Sequence, residues 1–363
     1  MEPRVLPGLK VGLVGPLPPP SGGMANQTLQ LAALLRAEGV QVETIQVNAP
    51  YRPAWAARLK GVRALFRLLP YLGALWRAAA RVDVFHVMAN SGWSWHLFAA
   101  PAIWVAHLRG KPVVINYRGG EADQFLQRSQ RAVRASLARS DALIVPSGFL
   151  ESVFGKYGIA AQVVPNIVNL ERFSPATGAS GAGPRLLVAR NLEAIYDNAT
   201  ALRALALVRQ QQPQATLVIA GSGPLRAELE ALAAGLGLTQ AVTFTGRVDG
   251  SDMARLYREA DIMLNCSLVD NTPNSVLEAL ASGVPVVSTN VGGVPYLVED
   301  GRTALLVPPA APQEMAQAIL RLCAQPALAD SLRQAGLRQV QQYTWNNVRP
   351  RLLDVYHRVM KRP

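Results

Sequence analysis

The sequence predicts an α/β protein with two doubly wound domains, each a parallel sheet with helices on both faces. The first observation is length, because 363 residues are too many for one ordinary domain and fit two. The second is composition, because 50% of the residues are hydrophobic, which suffices for two cores and excludes general disorder. The third is the alternation of short apolar segments with longer helical patterns, since parallel strands need crossover connections.

Strand candidates occur in both halves of the chain, with helical patterns between them. In the first half, a Pro/Gly-rich loop over Pro16–Gly23 precedes a helix predicted over Met24–Ala37. The first-half strands are predicted at Val11–Gly15, Val42–Val47, Val84–Met88, Val113–Tyr117, Ala142–Pro146 and Ala161–Val164. The second-half strands are predicted at Arg185–Ala189, Thr216–Ala220, Val242–Thr245, Ile262–Asn265, Val284–Ser288 and Leu305–Val307.

A linker is predicted at Ser174–Pro184, which reads SPATGASGAGP and carries no charge. We therefore predict an N-terminal domain over 1–173 and a C-terminal domain over 185–344. Trp345–Met360 has a helical pattern, so 345–363 is predicted to be a C-terminal helix that can cross back to the first domain.

The positive charge is concentrated in the first half. The whole chain has a net charge of +12, of which residues 1–175 contribute +10 (19 basic against 9 acidic residues) and the remainder +2. The first half is therefore expected to meet an anionic partner, which could be nucleic acid, a phospholipid surface or a phosphorylated substrate.

Several classes of protein are disfavoured by what the chain contains. Cys266 and Cys323 lie far apart, which argues against a disulfide framework and a cysteine-based zinc site. The four histidines have no metal-ligand spacing and no Asp-x-Asp pair occurs, so no metal is expected. The start of the chain has no signal pattern, and the most apolar stretch, Leu97–Ala106, fits a buried helix rather than a membrane span. A cytoplasmic protein, soluble or peripheral on the inner face of the plasma membrane, is expected.

An amphipathic pattern at Trp55–Arg81 has two interpretations. Trp55, Leu59, Val62, Phe66 and Leu69 share one helix face, with Lys60, Arg63 and Arg67 on its flank, and Pro70 breaks or kinks the pattern. The helix could rest in a membrane interface, with aromatic anchors and cations for anionic lipid, or pack on the domain core with its charges in water. Three further arginines spaced at three, Arg128, Arg131 and Arg134, could extend the basic face.

The segment from Asp270 to Glu278 carries the strongest chemical pattern. It follows a strand and runs into a helix, where Pro273 suits the first turn because its missing N–H has no helical partner to lose. The backbone N–H groups of Asn274, Ser275 and Val276 could hold a phosphate. Glu278, one turn further on, could accept both hydroxyls of a ribose, and Asp270 could bind hydroxyls of a second sugar.

This spacing fits a nucleotide-sugar, with ribose, pyrophosphate and hexose in order. The alternative from spacing alone is that Asp270 or Asn271 caps the helix and Glu278 pairs with a neighbouring arginine. A second loop, ending in Ser21-Gly22-Gly23 before the first helix, could approach an anion or be a plain turn.

Asp270-x7-Glu278, followed by ALASGVPVVS and then VGGVP at Val291–Pro295, resembles the donor-site signature of the family 4 retaining glycosyltransferases. The resemblance extends over nearly the whole chain, through LVIAGSGPL at Leu217–Leu225 and VTFTGRV at Val242–Val248, and is looser in the first half. It implies the GT-B fold: two doubly wound Rossmann-like domains with an interdomain cleft and a C-terminal helix.

The resemblance also implies roles for individual residues. Glu278 would bind the donor ribose, and Asp270 would contact the donor hexose near the reacting carbon. The loop and helix start with Asn271, Asn274, Ser275 and Val276 would hold phosphate. The other implied donor-binding residues are Arg190 on phosphate, Gly221 in the glycine loop, Arg247 and Val248 near the base, and Gly22 and Gly23 approaching the phosphates from the first domain.

This sequence departs from the family pattern at four points. Asp270 replaces the usual glutamate, and Asn271-Thr272-Pro273 replaces Gly-Phe-Gly. The lysine that normally follows the phosphate-binding arginine is absent from Arg190–Asn198, with Arg226 as one possible substitute. Arg118 stands where a histidine often contacts the donor sugar, and is assigned with Asp270 to the catalytic residues. Arginine donates hydrogen bonds but cannot act as a base near neutral pH.

The resemblance leads to one main hypothesis and two alternatives. The main hypothesis is a retaining glycosyltransferase that moves a hexose-type sugar from a UDP- or GDP-sugar to a saccharide acceptor, lipid-linked, in bacterial surface polysaccharide synthesis. No cofactor or metal is expected, and the basic first domain would meet an anionic membrane surface rather than nucleic acid. The alternatives are an epimerase or non-catalytic GT-B protein that binds a sugar nucleotide, and a nucleic-acid-binding protein.

Overall fold

The computed structural model describes residues 8–19, 22–51, 55, 58, 63–175 and 183–361. It divides into two compact units, one formed by Met1–Asn166 with Trp345–Pro363 and the other by Ile167–Thr344. Among the described residues each unit has one six-stranded sheet, and every strand pair in both sheets is parallel. The predicted fold class is confirmed.

In the first unit the strand order is β2-β1-β3-β4-β5-β6, so the direction of winding reverses between β1 and β3. The strands are β1 (Lys10–Gly15), β2 (Gln41–Gln46), β3 (Val84–Ala89), β4 (Val113–Tyr117), β5 (Ala142–Val145) and β6 (Gln162–Val163). The helices are α1 (Gly23–Ala37), α2 (Arg63–Ala79), α3 (Ala100–Leu108), α4 (Ala122–Leu137) and α5 (Gly148–Lys156), with a π-helix at Trp95–Ala99 before α3. Every residue of β3 is buried, as expected for a central strand covered on both faces.

Helix α2 runs from Arg63 to Ala79 through Pro70, so Pro70 does not break the helix, and a kink there stays a prediction. A proline inside a helix removes one backbone hydrogen bond, and α2 continues because Tyr71 and Leu75 anchor the same face in the core. The earlier part of the amphipathic pattern, including Leu59, Lys60 and Val62, lies outside the described residues.

In the second unit the strand order is β12-β11-β10-β7-β8-β9, and the winding reverses between β7 and β10. The strands are β7 (Arg185–Val188), β8 (Thr216–Ala220), β9 (Val242–Gly246), β10 (Ile262–Asn265), β11 (Val286–Thr289) and β12 (Leu305–Val307). The helices are α6 (Asn198–Val208), α7 (Arg226–Gly235), α8 (Gly250–Glu259), α9 (Asn274–Ala281), α10 (Val294–Leu297), α11 (Pro312–Ala324) and α12 (Pro326–Gln339). Short 3-10 turns lie at Ala194–Tyr196 and Val340–Tyr343.

The boundary between the units lies earlier than the predicted linker. Val168 and Phe173 are buried in the apolar core of the second unit, so residues 167–173 belong to it rather than to the first domain. Of the predicted linker, 176–182 lies outside the described residues. The N-terminal domain therefore ends near Asn166, because burial of these apolar side chains fixes the segment that follows.

The last helix, α13 (Trp345–Met360), is part of the first unit. The Tyr356 hydroxyl lies 2.8 Å from His86 Nδ1 on β3, and Trp345 Nε1 donates to Glu38 Oε1 at 2.9 Å. Arg349 Nη1 donates to the same carboxylate at 2.7 Å. None of the helices in the described ranges combines the length and hydropathy that crossing a membrane requires.

Candidate functional site

In the second unit, candidate residues collect where the winding of the sheet reverses. Open α/β sheets bind ligands at the carboxyl ends of their strands at such a switch point. Arg190 follows β7 by two residues, and the loop with Asp270 follows β10. Because β7 and β10 are adjacent in the sheet, two residues 80 positions apart in the chain come into contact.

Arg190 and Asp270 form a buried ion pair. Arg190 Nη2 donates to Asp270 Oδ2, and the two side chains are only 12% and 10% exposed. Arg190 Nε also donates to Asn265 Oδ1 at 3.0 Å, and the Ser267 hydroxyl donates to Asp270 Oδ2 at 3.1 Å. Burial raises the pKa of Asp270, while Arg190, Ser267 and the backbone of the next residue oppose that rise. The cation predicted to meet phosphate is thus already neutralised by the carboxylate predicted to meet sugar.

No second cation stands beside Arg190 at the position where the family lysine was expected. Tyr196 lies there instead, with the Arg190 guanidinium 5.0 Å from the centre of its ring. Asp197 caps α6 by accepting from the Thr200 backbone N–H at 3.4 Å, and it also accepts from the Thr200 hydroxyl at 2.6 Å. Arg226, proposed as a substitute cation, pairs with Glu230 at 2.7 Å on an exposed helix face.

The loop before α9 is held by two glycines. Gly293 N–H donates to the Asp270 carbonyl at 2.9 Å, and a Cβ at Gly293 would lie 1.7 Å from the Asn271 carbonyl oxygen. Gly292 has φ +51°, a left-handed conformation that favours glycine. The VGGVP sequence therefore fixes the Asp270 loop because only glycine allows the two backbones to approach this closely.

Helix α9 starts at Asn274 with Pro273 as its N-cap, and no side chain caps it. The alternative that Asp270 or Asn271 caps this helix is therefore wrong. The Val276 N–H donates to the Pro273 carbonyl at 3.1 Å, and its role in holding phosphate stays a prediction. The Ser275 hydroxyl is buried without a hydrogen-bond partner among the described residues, and the first turn has no acidic residue. This helix start suits an anion, as Asn274 and Ser275 were predicted to provide.

Glu278 is half-buried one turn into α9 and contacts the Tyr257 hydroxyl at 3.1 Å. Burial raises the pKa of Glu278 to about 7, and the hydrogen bond from Tyr257 and the charges of Arg172 and Arg190 oppose the rise. The same hydroxyl lies 3.0 Å from the Ser275 carbonyl. Since a tyrosine has one proton to donate, protonated Glu278 can donate to Tyr257 while Tyr257 donates to Ser275. Glu278 makes no ion pair within the described ranges, which argues against pairing with a neighbouring arginine as its role.

The remaining predicted donor residues of this unit follow the neighbouring strands. Gly221, after β8, packs so closely on Arg190 that a Cβ would lie 2.0 Å from the Arg190 carbonyl oxygen. Arg247 and Val248 follow β9, with Arg247 exposed and Val248 half-buried. The carboxyl ends of β7, β8, β9 and β10 therefore carry the residues that the sequence motifs singled out.

In the first unit, Gly22 is the N-cap residue of α1 and Gly23 begins the helix. No side chain caps α1, and its first turn has no acidic residue. Among the residues that the structure describes, nothing lies within 4 Å of where a Gly22 Cβ would be. The rest of the loop, with Pro20 and Ser21, lies outside the described residues.

Arg118 follows β4 and is surrounded by amide groups. Its Nε donates to Asn116 Oδ1 at 3.1 Å, and its Nη1 donates to Asn166 Oδ1 and lies 3.5 Å from Gln27 Oε1. Burial lowers the pKa of Arg118 to about 10, which leaves it cationic at neutral pH. None of the ion pairs in the described part of the chain includes Arg118.

A histidine behind Arg118 extends this cluster. His86 Nε2 lies 3.0 Å from Asn116 Nδ2, and its other ring nitrogen contacts Tyr356. Burial, followed by the charge of Arg118, lowers the pKa of His86 to about 3, so the ring is neutral at physiological pH. Its Nε2 therefore accepts from the Asn116 amide, and Nδ1–H donates to Tyr356.

Sequence reasoning missed four residues that shape the second unit's site: Asn265, Ser267, Tyr257 and Arg172. Asn265 and Ser267 could have been found, because polar residues at the carboxyl end of a buried strand and just after it mark the binding edge of such a sheet. Tyr257 and Arg172 carry no such signal, since they reach Glu278 only through the packing of distant segments. Within the described ranges, no group of three or more metal-ligating side chains comes together.

Comparison with known proteins covers both halves of the chain. A model described as Glycosyltransferase Family 4 matches residues 21–172, and one described as Glycosyl transferases group 1 matches residues 183–325. A D-inositol 3-phosphate glycosyltransferase from Streptomyces avermitilis is 32% identical over 222 residues, which are 56% of this chain and 48% of that protein. In such matches the chain spans about half the length of the curated relatives.

Two longer alignments complete the comparison. A D-inositol 3-phosphate glycosyltransferase from Actinosynnema mirum is 26% identical and covers 93% of this chain and 92% of that protein. The crystal structure of Anabaena HepE in complex with UDP-glucose aligns with a TM-score of 0.74 and 17% identity, over 96% of this chain and 99% of that one. With one model matched in each half and the sheet topology described above, the chain belongs to the family 4 glycosyltransferases, which have the GT-B fold.

Proposed function

We propose that this protein is a retaining glycosyltransferase that moves a hexose-type sugar from a nucleotide-sugar to a saccharide acceptor. The proposed acceptor is lipid-linked, and the proposed setting is bacterial surface polysaccharide synthesis on the cytoplasmic side of the membrane. The donor is a UDP- or GDP-sugar, and the reaction uses no metal or other cofactor.

The observation that carries the proposal is the second unit's switch point, where one carboxylate precedes an uncapped helix start and another follows it. Asp270 and Glu278 flank a helix N-terminus that offers backbone donors and the unpartnered Ser275 hydroxyl. A nucleotide-sugar has the complementary order: hexose hydroxyls for Asp270, a diphosphate for the helix start and ribose hydroxyls for Glu278. Family membership supports the same assignment.

The proposed chemistry needs no protein base at the acceptor. The bond between the sugar's anomeric carbon and the phosphate oxygen breaks, and a bond to the acceptor oxygen forms on the same face. The leaving diphosphate oxygen takes the acceptor's proton, while Arg190 and the α9 N-terminus stabilise the developing negative charge. To stabilise this charge, the Arg190 side chain must turn from Asp270 to the phosphate, and this frees Asp270 to bind the sugar hydroxyls. Arg118, which makes hydrogen bonds to amide oxygens but no ion pair among the described residues, is the proposed hydrogen-bond donor to the sugar.

The acceptor assignment is supported by charge. The first half of the chain has a net charge of +10, and Arg118 is cationic without a carboxylate partner among the described residues. An acceptor with a phosphate or a lipid diphosphate complements this charge. The acceptors named for the two relatives also carry a phosphate.

A donor panel tests the proposal. The protein is incubated with UDP-, GDP- and ADP-sugars and candidate acceptors, and release of nucleoside diphosphate is followed. The panel starts with UDP-glucose, because HepE with the same fold was crystallised with it. Product anomers read by NMR decide retention, and absence of turnover and of binding with every donor would contradict the proposal. Glu278→Ala is expected to weaken donor binding at least tenfold, with the exposed Glu314→Ala as matched control.

The Arg190–Asp270 pair also favours a second candidate, a GT-B protein that binds a sugar nucleotide without transferring sugar. In the described structure the phosphate-binding arginine is neutralised, and the family lysine is absent. Donor binding with a measurable affinity but no product with any acceptor would favour this candidate. Donor consumption with a rearranged sugar and no acceptor product would indicate an epimerase.

A further inference from the structure

We infer that the first unit carries a docking surface for an anionic phospholipid bilayer, formed by α2, α3 and the end of α4. This surface, which we call the Trp–Leu face, consists of Leu65, Leu69, Trp76, Trp104 and Leu108. It differs from the helix predicted at Trp55–Arg81, because two of its five side chains, Trp104 and Leu108, lie on α3. The inference rests on this surface alone and not on the proposed reaction.

The exposure of these side chains is the first argument. Leu65, Leu69 and Trp76 are 52%, 65% and 49% exposed on one side of α2, while Tyr71 and Leu75 on the other side are buried. On α3, Leu108 is 70% and Trp104 38% exposed. Large apolar side chains scattered singly need no explanation, but a contiguous group on adjacent helices marks an interaction site.

Two arginines join the helices into one surface. The Arg109 guanidinium at the end of α3 lies 4.7 Å from the ring centre of Trp76 on α2. The Arg139 guanidinium after α4 lies 3.8 Å from the ring centre of Trp104 on α3. A guanidinium group therefore lies over each indole ring, so the face presents apolar rings and positive charge together.

The charge of the surrounding chain identifies the occupant. Residues 63–112 hold six lysines or arginines, of which Arg81 is paired with Glu43, and a single acidic residue, Asp83. Asp83 accepts from the backbone N–H of Lys10 at the start of the first sheet and so is occupied there. A protein partner would commonly be met with charges of both signs, whereas anionic headgroups above acyl chains complement a face of leucine and tryptophan with Arg109 and Arg139 on its indole rings. The exposed Arg77 adds to this positive charge.

Vesicle sedimentation of the full chain tests this inference. The unmodified protein is expected to sediment with vesicles of phosphatidylcholine and phosphatidylglycerol, less with phosphatidylcholine alone, and less at high salt. Trp76→Ser with Leu108→Ser is expected to lower the affinity about tenfold or more for each side chain removed from the bilayer. Leu29→Ser, which removes an equally exposed leucine on α1, is expected to leave binding unchanged.

The charge is tested by a second pair of variants. Arg77→Gln with Arg109→Gln is expected to lower binding to anionic vesicles about fivefold for each arginine. Arg351→Gln, which removes an exposed arginine from α13 of the same unit, serves as the control.

Brominated acyl chains give an independent signal. They are expected to quench tryptophan fluorescence of the bound protein, and Trp76→Phe with Trp104→Phe is expected to remove most of that quenching.

Failure of the unmodified protein to bind anionic vesicles, or equal binding by the Trp76→Ser, Leu108→Ser variant, would overturn the inference. Sedimentation velocity that shows a dimer lost in this variant, with vesicle binding intact, would assign the face to a second copy of the chain instead.

Discussion

The two arginines at the candidate sites have opposite surroundings. Arg190 in the second unit is paired with Asp270, whereas Arg118 in the first unit is held by the amide oxygens of Asn116 and Asn166. A buried carboxylate cancels the charge of the first arginine, and neutral amides leave the charge of the second uncancelled. The difference parallels the net charges of the two halves, +2 and +10. A phosphate must displace Asp270 to reach Arg190, but an anion that reaches Arg118 displaces no charge.

The largest expected effect comes from breaking the Arg190–Asp270 pair. Arg190→Gln leaves the Asp270 carboxylate buried without its cation, so the free energy of unfolding is expected to fall by about 3 kcal/mol. Urea denaturation measures the change.

The second substitution Asp270→Asn provides the control for this effect. Because it removes the unpaired charge, adding it to Arg190→Gln is expected to restore most of the lost stability. Equal stability of Arg190→Gln and the unmodified protein would show that the pair is not a stabilising contact.

Replacement of Arg118 is expected to lower activity without lowering stability, unlike replacement of Arg190. Arg118→Met keeps the volume of the side chain. Removal of an uncompensated buried charge offsets the loss of the hydrogen bonds to Asn116 and Asn166, so the free energy of unfolding is expected to change by less than about 1 kcal/mol. The rate constant kcat/KM is expected to fall about 100-fold, because a preorganised donor at the reacting group contributes about that much.

Measuring both stability and kcat/KM of Arg118→Met distinguishes a catalytic role of Arg118 from a structural one. A loss of stability as large as that of Arg190→Gln would show that Arg118 is structural, and an unchanged kcat/KM would remove it from the catalytic residues. Arg131→Met, an exposed arginine on α4, is the matched control and is expected to change neither quantity.

Donor affinity is expected to depend on pH through Glu278. Burial raises its pKa to about 7, so below pH 7 the free protein holds Glu278 protonated and loses an acceptor for the ribose hydroxyls. Binding of UDP, with GDP and ADP in parallel, is expected to weaken by up to about tenfold per pH unit below pH 7. Calorimetry at pH 6 and pH 8 measures this.

Glu278→Gln, which cannot ionise, is expected to remove the pH dependence of binding. Stability is expected to change with the opposite sign: since the folded state binds the proton more tightly, the unmodified protein loses stability as pH rises from about 4.5 to about 7. A pH dependence of binding that persists in Glu278→Gln would assign it to another group.

The fold could be predicted because each strand carries its own signal. The segments Val113–Tyr117 and Ile262–Asn265 are short apolar runs between polar turns, and the structure has strands at the same residues. The domain boundary could not be placed this way, because residues 167–173 look like loop until Val168 and Phe173 are seen in the second core. Composition marks where a chain is flexible, whereas burial decides where a domain ends.

The candidate site was predictable to the level of the residues but not of their contacts. The motif placed Asp270, Arg190 and Glu278, and the structure brings the first two into direct contact. No spacing rule shows this, because the contact depends on β7 and β10 being neighbours in the sheet. Sequence spacing also does not show that the Val276 N–H donates to the Pro273 carbonyl, because that hydrogen bond forms only when the helix start is folded.

The smallest expected effect concerns the support of Arg118 rather than the arginine itself. The chain of contacts from Tyr356 through His86 and Asn116 to Arg118 joins α13 to the β3 and β4 strands behind the first unit's candidate site. Tyr356→Phe removes one hydroxyl and leaves His86 Nδ1–H buried without an acceptor, so the free energy of unfolding is expected to fall by about 1 kcal/mol. If this chain of contacts positions Arg118, kcat falls a few-fold while KM for the donor is unchanged, and NMR of the His86 ring shows a shifted tautomer balance.

Tyr343→Phe, a similarly buried tyrosine of the second unit, is the control and is expected to leave the His86 signal in place. A stability loss in Tyr356→Phe with kcat unchanged would limit the role of α13 to folding, and the contrast between the two arginines would then depend on their immediate partners alone.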